Sequence, residues 1–192
     1  PYIKQKFLGN LKDNKKLDIK SLLKNTKKFD IIITTGGASV GEEDHLIDAV
    51  NKIGKVYFWK TAIKPGRPLA IGEINKTIII CLPGNPVSVH LLYGMLIKPL
   101  IEYRCSGKLN LPKSTKVKVN FSMKKKNKRL EWLRVVVQKN KDGIFVNKFP
   151  KQGSGMISSI AYSDGIIEIP EKVSFISKGE YYSFYSYEDI FE

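Results

Sequence analysis

Three cations lie among apolar residues in the segment FWKTAIKPGRP, residues 58–68. They are Lys60, Lys64 and Arg67. Lys60 and Lys64 are four residues apart, so both side chains share one face if the segment is a continuous strand. Lysine and arginine donate charge-assisted hydrogen bonds to oxyanions. The segment therefore predicts one wall of a crevice that binds phosphate or another oxyanion.

A glycine-rich segment, TTGGASVGEED at residues 34–44, could add backbone donors to such a crevice. Gly36 and Gly37 would let backbone N–H groups approach an anion closely, and the Ser39 hydroxyl could donate to it. Asp44 falls in the first turn of a predicted helix. It is either a ligand for Mg²⁺, which prefers hard oxygen ligands, or an acid that complements the helix dipole. The spacing alone leaves both alternatives open.

A second turn of this kind is CLPGNPVSVH, residues 81–90. Asn85 suits the cap of a helix and Pro86 its first residue. The N–H groups of the first turn, together with the Ser88 hydroxyl, could hold a second anion. An ordinary capped helix start explains the same residues equally well.

Two polar residues are prominent later in the chain. Arg134 lies within the apolar strand pattern EWLRVVV, where its charge needs a partner, and a structural carboxylate is favoured over a ligand. Ser154 lies in KQGSG, a polar loop of the kind that can close over a site.

The elements that must position these residues alternate between helix and buried strand. Helices are predicted at 17–28, 42–54 and 85–104, and strands at 29–35, 55–63, 68–74 and 77–82. Apolar strands without polar alternation are typical of a sheet covered on both faces. We therefore predict a three-layer α/β domain with a mostly parallel sheet over residues 1–108. Its ligand crevice should lie at the carboxyl ends of the strands.

The pattern changes in the second part of the chain, which we predict to be a separate domain at 109–192. Short alternating stretches separated by Gly, Asn and Lys predict a small all-β barrel of about five or six strands. The stretches are TKVKVNF, RLEWLRVVV, GIFVNKF, GIIEIP and YYSFYSY.

Composition limits the classes of protein. An apolar fraction of 42% indicates a globular chain, and the absence of a run of about 18 apolar residues predicts no membrane span. The net charge of +15 fits either an anionic partner or a solvated lysine-rich surface. Basic residues do not alternate with aromatic ones along a face, so no nucleic acid partner is predicted.

Cellular location is predicted from the cysteines. Cys81 and Cys105 have no metal-ligand spacing and are expected to be free thiols, as in a reducing, cytoplasmic compartment. Because the chain opens with Pro1 rather than Met, we expect it to be part of a longer protein.

The motifs form a series. TGGASVGEED, FWKTAIKPGRPLAIG and LPGNPVSV, followed by WLRVVV and KQGSGMISSIAYSDGIIEIP, closely resemble the motifs of the molybdopterin molybdenumtransferase family. Its members include bacterial MoeA and the E domain of gephyrin. The resemblance implies a MogA-like pterin-binding domain followed by a β-barrel. It also implies molybdenum cofactor biosynthesis, in which molybdate is inserted into adenylylated molybdopterin with release of AMP and with the help of Mg²⁺.

The resemblance also implies roles for individual residues. Those implied to be catalytic are Ser39, Asp44, Lys60 and Lys64. Those implied to bind Mg²⁺ are Asp13 and Asp44. Those implied to contact pterin or molybdate are Gly36, Gly37, Asp13, Pro65, Ser88, Arg134 and Ser154. Arg67 replaces the lysine usual in the family's KPGKP motif, which keeps the charge.

Partners are implied in the same way. Members of the family are homodimers that bind small anionic substrates, and molybdopterin adenylyltransferase is a further candidate partner. The two N-terminal domains of the family are not in this chain. Two other functions stay open: a scaffold or receptor-binding protein on the gephyrin E-type fold, and the adenylyltransferase reaction itself.

Overall fold

A computed structural model of the protein describes residues 3–10, 15–36, 45–141 and 143–191. The contacts between Cα atoms divide the chain into two compact units. The first contains residues 1–61 and 66–85, and the second contains residues 62–65 and 86–192. These units describe packing, whereas the predicted boundary between residues 108 and 109 describes domains along the chain. That boundary stays a prediction.

In its described residues, the first unit contains two helices and four strands. The helices are α1 (Lys15–Asn25) and α2 (His45–Ile53). The strands are β1 (Ile31–Thr35), β2 (Lys55–Trp59), β4 (Ala70–Ile74) and β5 (Thr77–Leu82), while β3 (Ile63–Lys64) belongs to the second unit.

The sheet of the first unit is mixed, with strand order β1-β5-β4-β2. Only β1 and β5 are parallel, whereas β4 is antiparallel to both of its neighbours. The predicted mostly parallel sheet is therefore wrong for two of the three pairings. For the β4–β5 pairing, the reason is the two-residue turn at Asn75 and Lys76, whose φ angles are 51° and 69°. Two residues with positive φ form a tight hairpin, which joins antiparallel strands only.

The core of this unit lies between α2 and the sheet. Leu46, Ile47 and Val50 of α2 are buried. They belong to one cluster with Ile74 and Ile79 of the sheet. Each such side chain stabilises the fold by roughly 1.5–3 kcal/mol through burial.

The second unit contains the remaining elements. Its helices are α3 (Pro86–Leu92), a π-helix (Tyr93–Ile97), α4 (Lys98–Ser106), α5 (Ser158–Ala161) and α6 (Tyr187–Phe191). Its strands, besides β3, are β6 (Thr115–Val119), β7 (Met123–Lys124), β8 (Leu130–Asn140), β9 (Gly143–Lys148), β10 (Gly165–Ile169), β11 (Phe175–Ile176) and β12 (Tyr181–Ser186).

The predicted barrel is confirmed. Its strands follow the order β10-β12-β6-β9-β8, and pairing between β10 and β8 closes the ring. The short strand β3 adds to the outer side of β8 in parallel. Val119, Val135, Val146 and Ile167 are buried in the interior cluster. All five alternating stretches of the sequence form strands of this barrel.

The long helix predicted at 85–104 is present as α3, the π-helix and α4, which follow one another without a break over residues 86–106. A side chain at Gly94 would collide with Ile190 and Phe191 of α6. The glycine therefore lets α6 pack directly against the helical backbone.

Candidate oxyanion-binding site

The carboxyl ends of three strands meet at one edge of the first unit's sheet. Because β4 is antiparallel to both β2 and β5, those two strands run in the same direction, as does β1. The register places four residues in one row across the sheet: Trp59, Ala70, Cys81 and Thr34. Lys60 follows that row on one strand and Gly36 follows it on another. The mixed sheet thus still gathers the predicted segments at one edge.

The two glycine-rich turns touch at this edge. Gly36 has a φ of +84°, which favours glycine, and its N–H donates to the Leu82 carbonyl over 3.0 Å. A Cβ placed on Gly84 would lie 3.6 Å from the Gly36 Cα. Since the Gly36 N–H is already engaged, the residue shapes the turn rather than offering a free donor.

Several predicted site residues lie outside the described part of the chain. They are Asp13, Gly37, Ser39 and Asp44. Their implied roles in catalysis, substrate binding and Mg²⁺ binding stay predictions. Among the residues that the structure describes, no group of three or more His, Cys, Asp or Glu side chains could hold a metal ion.

Lys60 lies just beyond the end of β2. Its φ is 71°, its N–H donates to the Leu69 carbonyl over 3.1 Å, and its Nζ lies 3.7 Å from the centre of the Trp59 ring. The left-handed backbone ends the strand here, so the predicted continuous strand at 55–63 is wrong. Lys60 and Lys64 therefore do not share one strand face, and they belong to different units.

Lys64 is paired with a carboxylate that the sequence analysis did not identify. It lies opposite Glu131 in the parallel pairing of β3 with β8, and the Lys64 Nζ is 2.6 Å from Glu131 Oε1. Asn127 Nδ2 donates to the other oxygen, Oε2, over 3.0 Å. Pro65, which follows Lys64, is buried. The only signal in the sequence was an acidic residue inside an apolar strand pattern.

Arg134 is almost completely buried, with 1% of its surface exposed. Its Nε donates to Ser159 Oγ over 3.1 Å, and Nη2 donates to the Gly153 carbonyl over 3.3 Å. In the described ranges no carboxylate lies within ion-pair distance of it, so the favoured structural partner is not found there. Burial lowers the pKa of Arg134, while the charges of Tyr187 and Glu131 raise it.

The QGSG loop is fastened to β8 by a side chain. Gln152 Oε1 accepts from the Arg134 N–H over 3.1 Å, and Gln152 Nε2 donates to the carbonyls of Arg134 and Phe149, both over 2.8 Å. The amide group therefore pairs with the strand as a peptide group would. We missed this role of Gln152 from the sequence, because an amide in a polar loop gives no sign of its partner.

The same loop reaches the first turn of α3. The Val87 N–H donates to the Ser154 carbonyl over 3.2 Å, and the next residue, Ser88, is buried. One donor of this predicted anion site is therefore taken by the protein itself. The structure nevertheless brings Arg134, Ser154 and Ser88 together around one loop.

Lys64, which lies opposite Glu131 of β8, and Arg134 of β8 are at different points along that strand. The partner of Lys64 is Glu131, three residues before Arg134, which is about 10 Å along the strand. An odd separation also places the side chains of Glu131 and Arg134 on opposite faces. Lys64 and Arg134 are thus two separate cationic positions and do not form one cluster.

The comparisons with known proteins agree with this arrangement. Residues 3–103 match the family described as "Probable molybdopterin binding domain", and residues 116–186 match "MoeA C-terminal region (domain IV)". The chain belongs to the molybdopterin molybdenumtransferase family. Within this family it is 36% identical over 180 residues to a molybdopterin molybdenumtransferase from Haemophilus influenzae, covering 90% of this chain and 43% of the relative.

Two further members extend the comparison. Gephyrin from Dictyostelium discoideum is 29% identical over 197 residues, covering 90% of this chain and 26% of the relative. A crystal structure of the molybdopterin biosynthesis MoeA protein from Pyrococcus horikoshii matches with a TM-score of 0.72 and 26% identity, covering 91% of this chain and 41% of that chain. The chain therefore spans less than half the length of these family members.

The described helices give no candidate for a membrane-crossing segment, because none combines the necessary length with sufficient apolar character. Cys81 is buried and Cys105 is exposed, and both are free thiols. Burial raises the pKa of the Cys81 thiol to about 11, which makes it a poor nucleophile.

Proposed function

We propose that the protein carrying this chain inserts molybdate into adenylylated molybdopterin and releases AMP. The observation that carries the proposal is the buried Arg134 guanidinium, whose hydrogen-bond partners among the described residues are neutral. A buried cation that only neutral groups accompany gains more from an incoming anion than a cation already paired with a carboxylate. Family membership supports molybdate as that anion.

The chemistry fits the side chains present. Molybdate is a tetrahedral dianion with four oxygen acceptors, and the arginine fork can donate two hydrogen bonds to it. We assign molybdate binding to two separate positions, one formed by Arg134, Ser154 and Ser88 and the other by Lys64 and Pro65 beside β8. Lys60, at the sheet edge of the first unit, would neutralise the phosphate charge that grows as the adenylate is cleaved.

The proposal includes Mg²⁺, held by Asp13 and Asp44. Carboxylates are ligands that Mg²⁺ accepts, and a bound ion would polarise a phosphoryl oxygen. Removing Mg²⁺ with a chelator should then abolish AMP release, and restoring the ion should recover it. Unchanged AMP release in the chelator would overturn the Mg²⁺ part alone.

A chimera tests the activity. The matched region of the Haemophilus influenzae relative would be replaced by this chain, so that the relative supplies the rest of its length. The chimera, given adenylylated molybdopterin, molybdate and Mg²⁺, should produce cofactor that activates an apo-molybdoenzyme. Arg134→Met in the chimera should abolish that product, whereas Lys178→Met on the barrel surface should not. A folded chimera that makes no cofactor would contradict the proposal.

We include a homodimer, a partner adenylyltransferase and a cytoplasmic location in the same proposal. The free thiols support a reducing compartment. Light scattering on the chimera should give the mass of a dimer, and co-purification with an adenylyltransferase should be measurable. The chimera should not itself adenylylate molybdopterin with ATP, since that would indicate the sibling reaction instead.

A further inference from the structure

We propose that Glu131 is a positioning residue for Lys64, which it holds at a fixed point so that two of its three N–H bonds remain for an oxyanion. The proposal deepens the proposed function and rests on it only where Lys64 meets the substrate. Its structural part, a fixed ammonium group, can be tested without any activity.

The backbone on both sides of this pair is fixed first. The parallel pairing aligns Ile63 with Leu130 and Lys64 with Glu131. The Leu130 N–H donates to the Ala62 carbonyl over 2.9 Å. The pairing therefore fixes the Cα atoms of Lys64 and Glu131 relative to each other. Their side chains form a contact of 2.6 Å between Lys64 Nζ and Glu131 Oε1.

The carboxylate is fixed as well. Glu131 is only 4% exposed and shares the face of β8 that carries Leu133 and Val135, both members of the barrel core. Its second oxygen accepts from Asn127 Nδ2 over 3.0 Å. Asn127 Oδ1 in turn accepts from the Arg129 N–H over 3.0 Å, which sets the orientation of the amide. Arg129 thus orients the Asn127 amide, Asn127 orients the Glu131 carboxylate, and Glu131 positions the Lys64 ammonium group.

The ammonium group is fixed but still reachable. The Lys64 side chain is 39% exposed, whereas that of Glu131 is 5% exposed. An ammonium group has three N–H donors, so one contact with Glu131 leaves two. A lysine side chain ordinarily loses much rotamer freedom when it binds a ligand. Here the contact with Glu131 already restricts the rotamers of Lys64, so the ammonium group is preorganised for an anion.

The arrangement has an electrostatic cost, since Glu131 repels an anion. The surrounding charge offsets it. Lys125 and Arg134 both lie within electrostatic range of Glu131 and are buried. Lys125 donates to the Pro170 carbonyl over 2.6 Å, so it supplies charge from a fixed position.

Two substitutions separate the positioning effect of Glu131 from its charge. Glu131→Gln removes the charge and keeps an acceptor, and Glu131→Ala removes both.

The first experiment observes the ammonium group directly in the 192-residue chain. Lysine Nζ signals are visible by NMR where hydrogen bonding slows exchange with water. Lys64 should give a visible signal, assigned by its absence in Lys64→Arg. The signal should disappear in Glu131→Ala, persist in Glu131→Gln, and persist in Glu102→Gln, which removes the separate 3.8 Å ion pair with Lys98. A visible Lys64 signal in Glu131→Ala would overturn the proposal.

The second experiment measures molybdate affinity by calorimetry at pH 7. Glu131→Ala should bind molybdate about tenfold more weakly, a loss typical of one charge-assisted hydrogen bond. Glu131→Gln should bind as well as the parent or better, because the repulsive charge is gone. If Glu131→Ala instead binds as tightly as Glu131→Gln, the carboxylate acts only by its charge and the positioning role is wrong.

The third experiment separates this inference from the proposed function. In the chimera, Glu131→Ala should raise KM for molybdate and lower kcat, and Glu131→Gln should restore most of kcat. A general loss of folding would lower the amount of active enzyme without changing KM. If the parent chain binds no molybdate and the chimera makes no cofactor, the proposed function fails. The NMR result still decides whether Glu131 holds Lys64.

Discussion

Three charged side chains are buried among the described residues: Lys125, Glu131 and Arg134. Lys125 and Arg134 donate to neutral carbonyl or hydroxyl oxygens, whereas Glu131 forms an ion pair with Lys64. Burying a charge costs free energy that hydrogen bonds to neutral groups offset only in part. Because the described part of this unit buries two cations and one carboxylate, an oxyanion could offset the excess of buried positive charge.

The buried state of Glu131 predicts how Lys64→Ala behaves. Removing the ammonium group leaves a buried carboxylate without its ion pair, so Lys64→Ala should lower the free energy of unfolding by about 2 kcal/mol. The double variant Lys64→Ala/Glu131→Ala should recover part of that loss. Urea denaturation measures both.

The outcome bears on any activity assay of Lys64. If the single variant is as stable as the parent, Glu131 finds compensation elsewhere and the prediction fails. If Lys64→Ala is destabilised, its activity must be compared with that of the double variant. Only a loss of activity shared by both variants would assign a catalytic role to Lys64.

His90 predicts a dependence of stability on pH. Its ring lies 4.1 Å from the Phe191 ring and 6.1 Å from that of Tyr187, and burial lowers its pKa below the ordinary 6.5. The unfolded chain therefore binds a proton at higher pH than the folded one. The stability contributed by neutral His90 should be complete above about pH 6.5 and should decrease as the pH falls through the folded-state pKa.

The measurement compares unfolding free energies of the parent and His90→Gln between pH 7 and pH 5. The parent should lose more stability than the variant over this range. The Tyr187 hydroxyl, whose pKa burial raises, stays protonated there and does not contribute. Equal slopes for parent and variant would refute the role of His90.

At the level of elements, short connections decide which way the strands run. The two-residue turn after β4 reverses the chain and makes β5 antiparallel to it. The same reversal leaves β2 and β5 pointing the same way, so that Lys60 and Gly36 lie at one edge of the sheet. In the second unit, contacts of the QGSG loop with β8 and α3 act similarly by bringing Ser154 to Arg134 and Ser88.

The hairpin turn can be improved. Lys76 has a φ of 69°, a conformation that costs a non-glycine residue roughly 1 kcal/mol. Lys76→Gly creates the Asn-Gly pair favoured in this turn and should raise the free energy of unfolding by about 0.5–1 kcal/mol. Lys27→Gly, in a turn that does not need positive φ, should give no gain. Thermal unfolding distinguishes them, and equal effects would mean that strain at Lys76 is not the cause.

The contact between the π-helix and α6 can be broken. A methyl group at Gly94 would collide with Ile190 and Phe191, so Gly94→Ala should destabilise the protein by about 1–3 kcal/mol. Gly155→Ala is a matched control, because a Cβ there meets nothing within 4 Å. Denaturant unfolding should separate the two. Equal stabilities would show that α6 moves aside without cost.

At the scale of the whole molecule, the helical segment at 86–106 packs as part of the barrel unit. The Val87 N–H bonds to the Ser154 carbonyl, and His90 and Gly94 contact α6. Helix α3 follows β5 of the first unit along the chain but packs within the second unit. Neighbours along the chain are therefore not always neighbours in the packing.

This packing predicts how fragments behave. A fragment of residues 84–192 keeps α3, the π-helix and α4 with the barrel, whereas a fragment of residues 109–192 loses them. The longer fragment should have a Tm at least about 5 °C higher, since about 1 kcal/mol shifts a domain of this size by that amount. Calorimetry measures the difference. Equal Tm values would show that the barrel does not depend on the helical segment.

Local patterns along the chain were sufficient to predict most helices and strands and to recognise the family. The alternating stretches fixed the barrel strands because the period of a strand is short and local. The glycine and proline motifs marked the turns, and the family was recognisable from their order. The antiparallel hairpin was also readable, since only two residues separate β4 from β5, but the apolar composition of the strands favoured a parallel sheet instead.

Contacts between distant side chains could not be predicted in this way and are known from the folded structure. Glu131 is 67 residues from Lys64, and no local pattern links them. The pairing exists because β3 aligns in parallel with β8, which places Lys64 opposite Glu131. The same holds for Arg134, whose side-chain partners are Gly153 of the QGSG loop, 19 residues away, and Ser159 of α5, 25 residues away. Spacing along a chain determines which residues share an element, whereas contacts between elements depend on packing that a single segment does not encode.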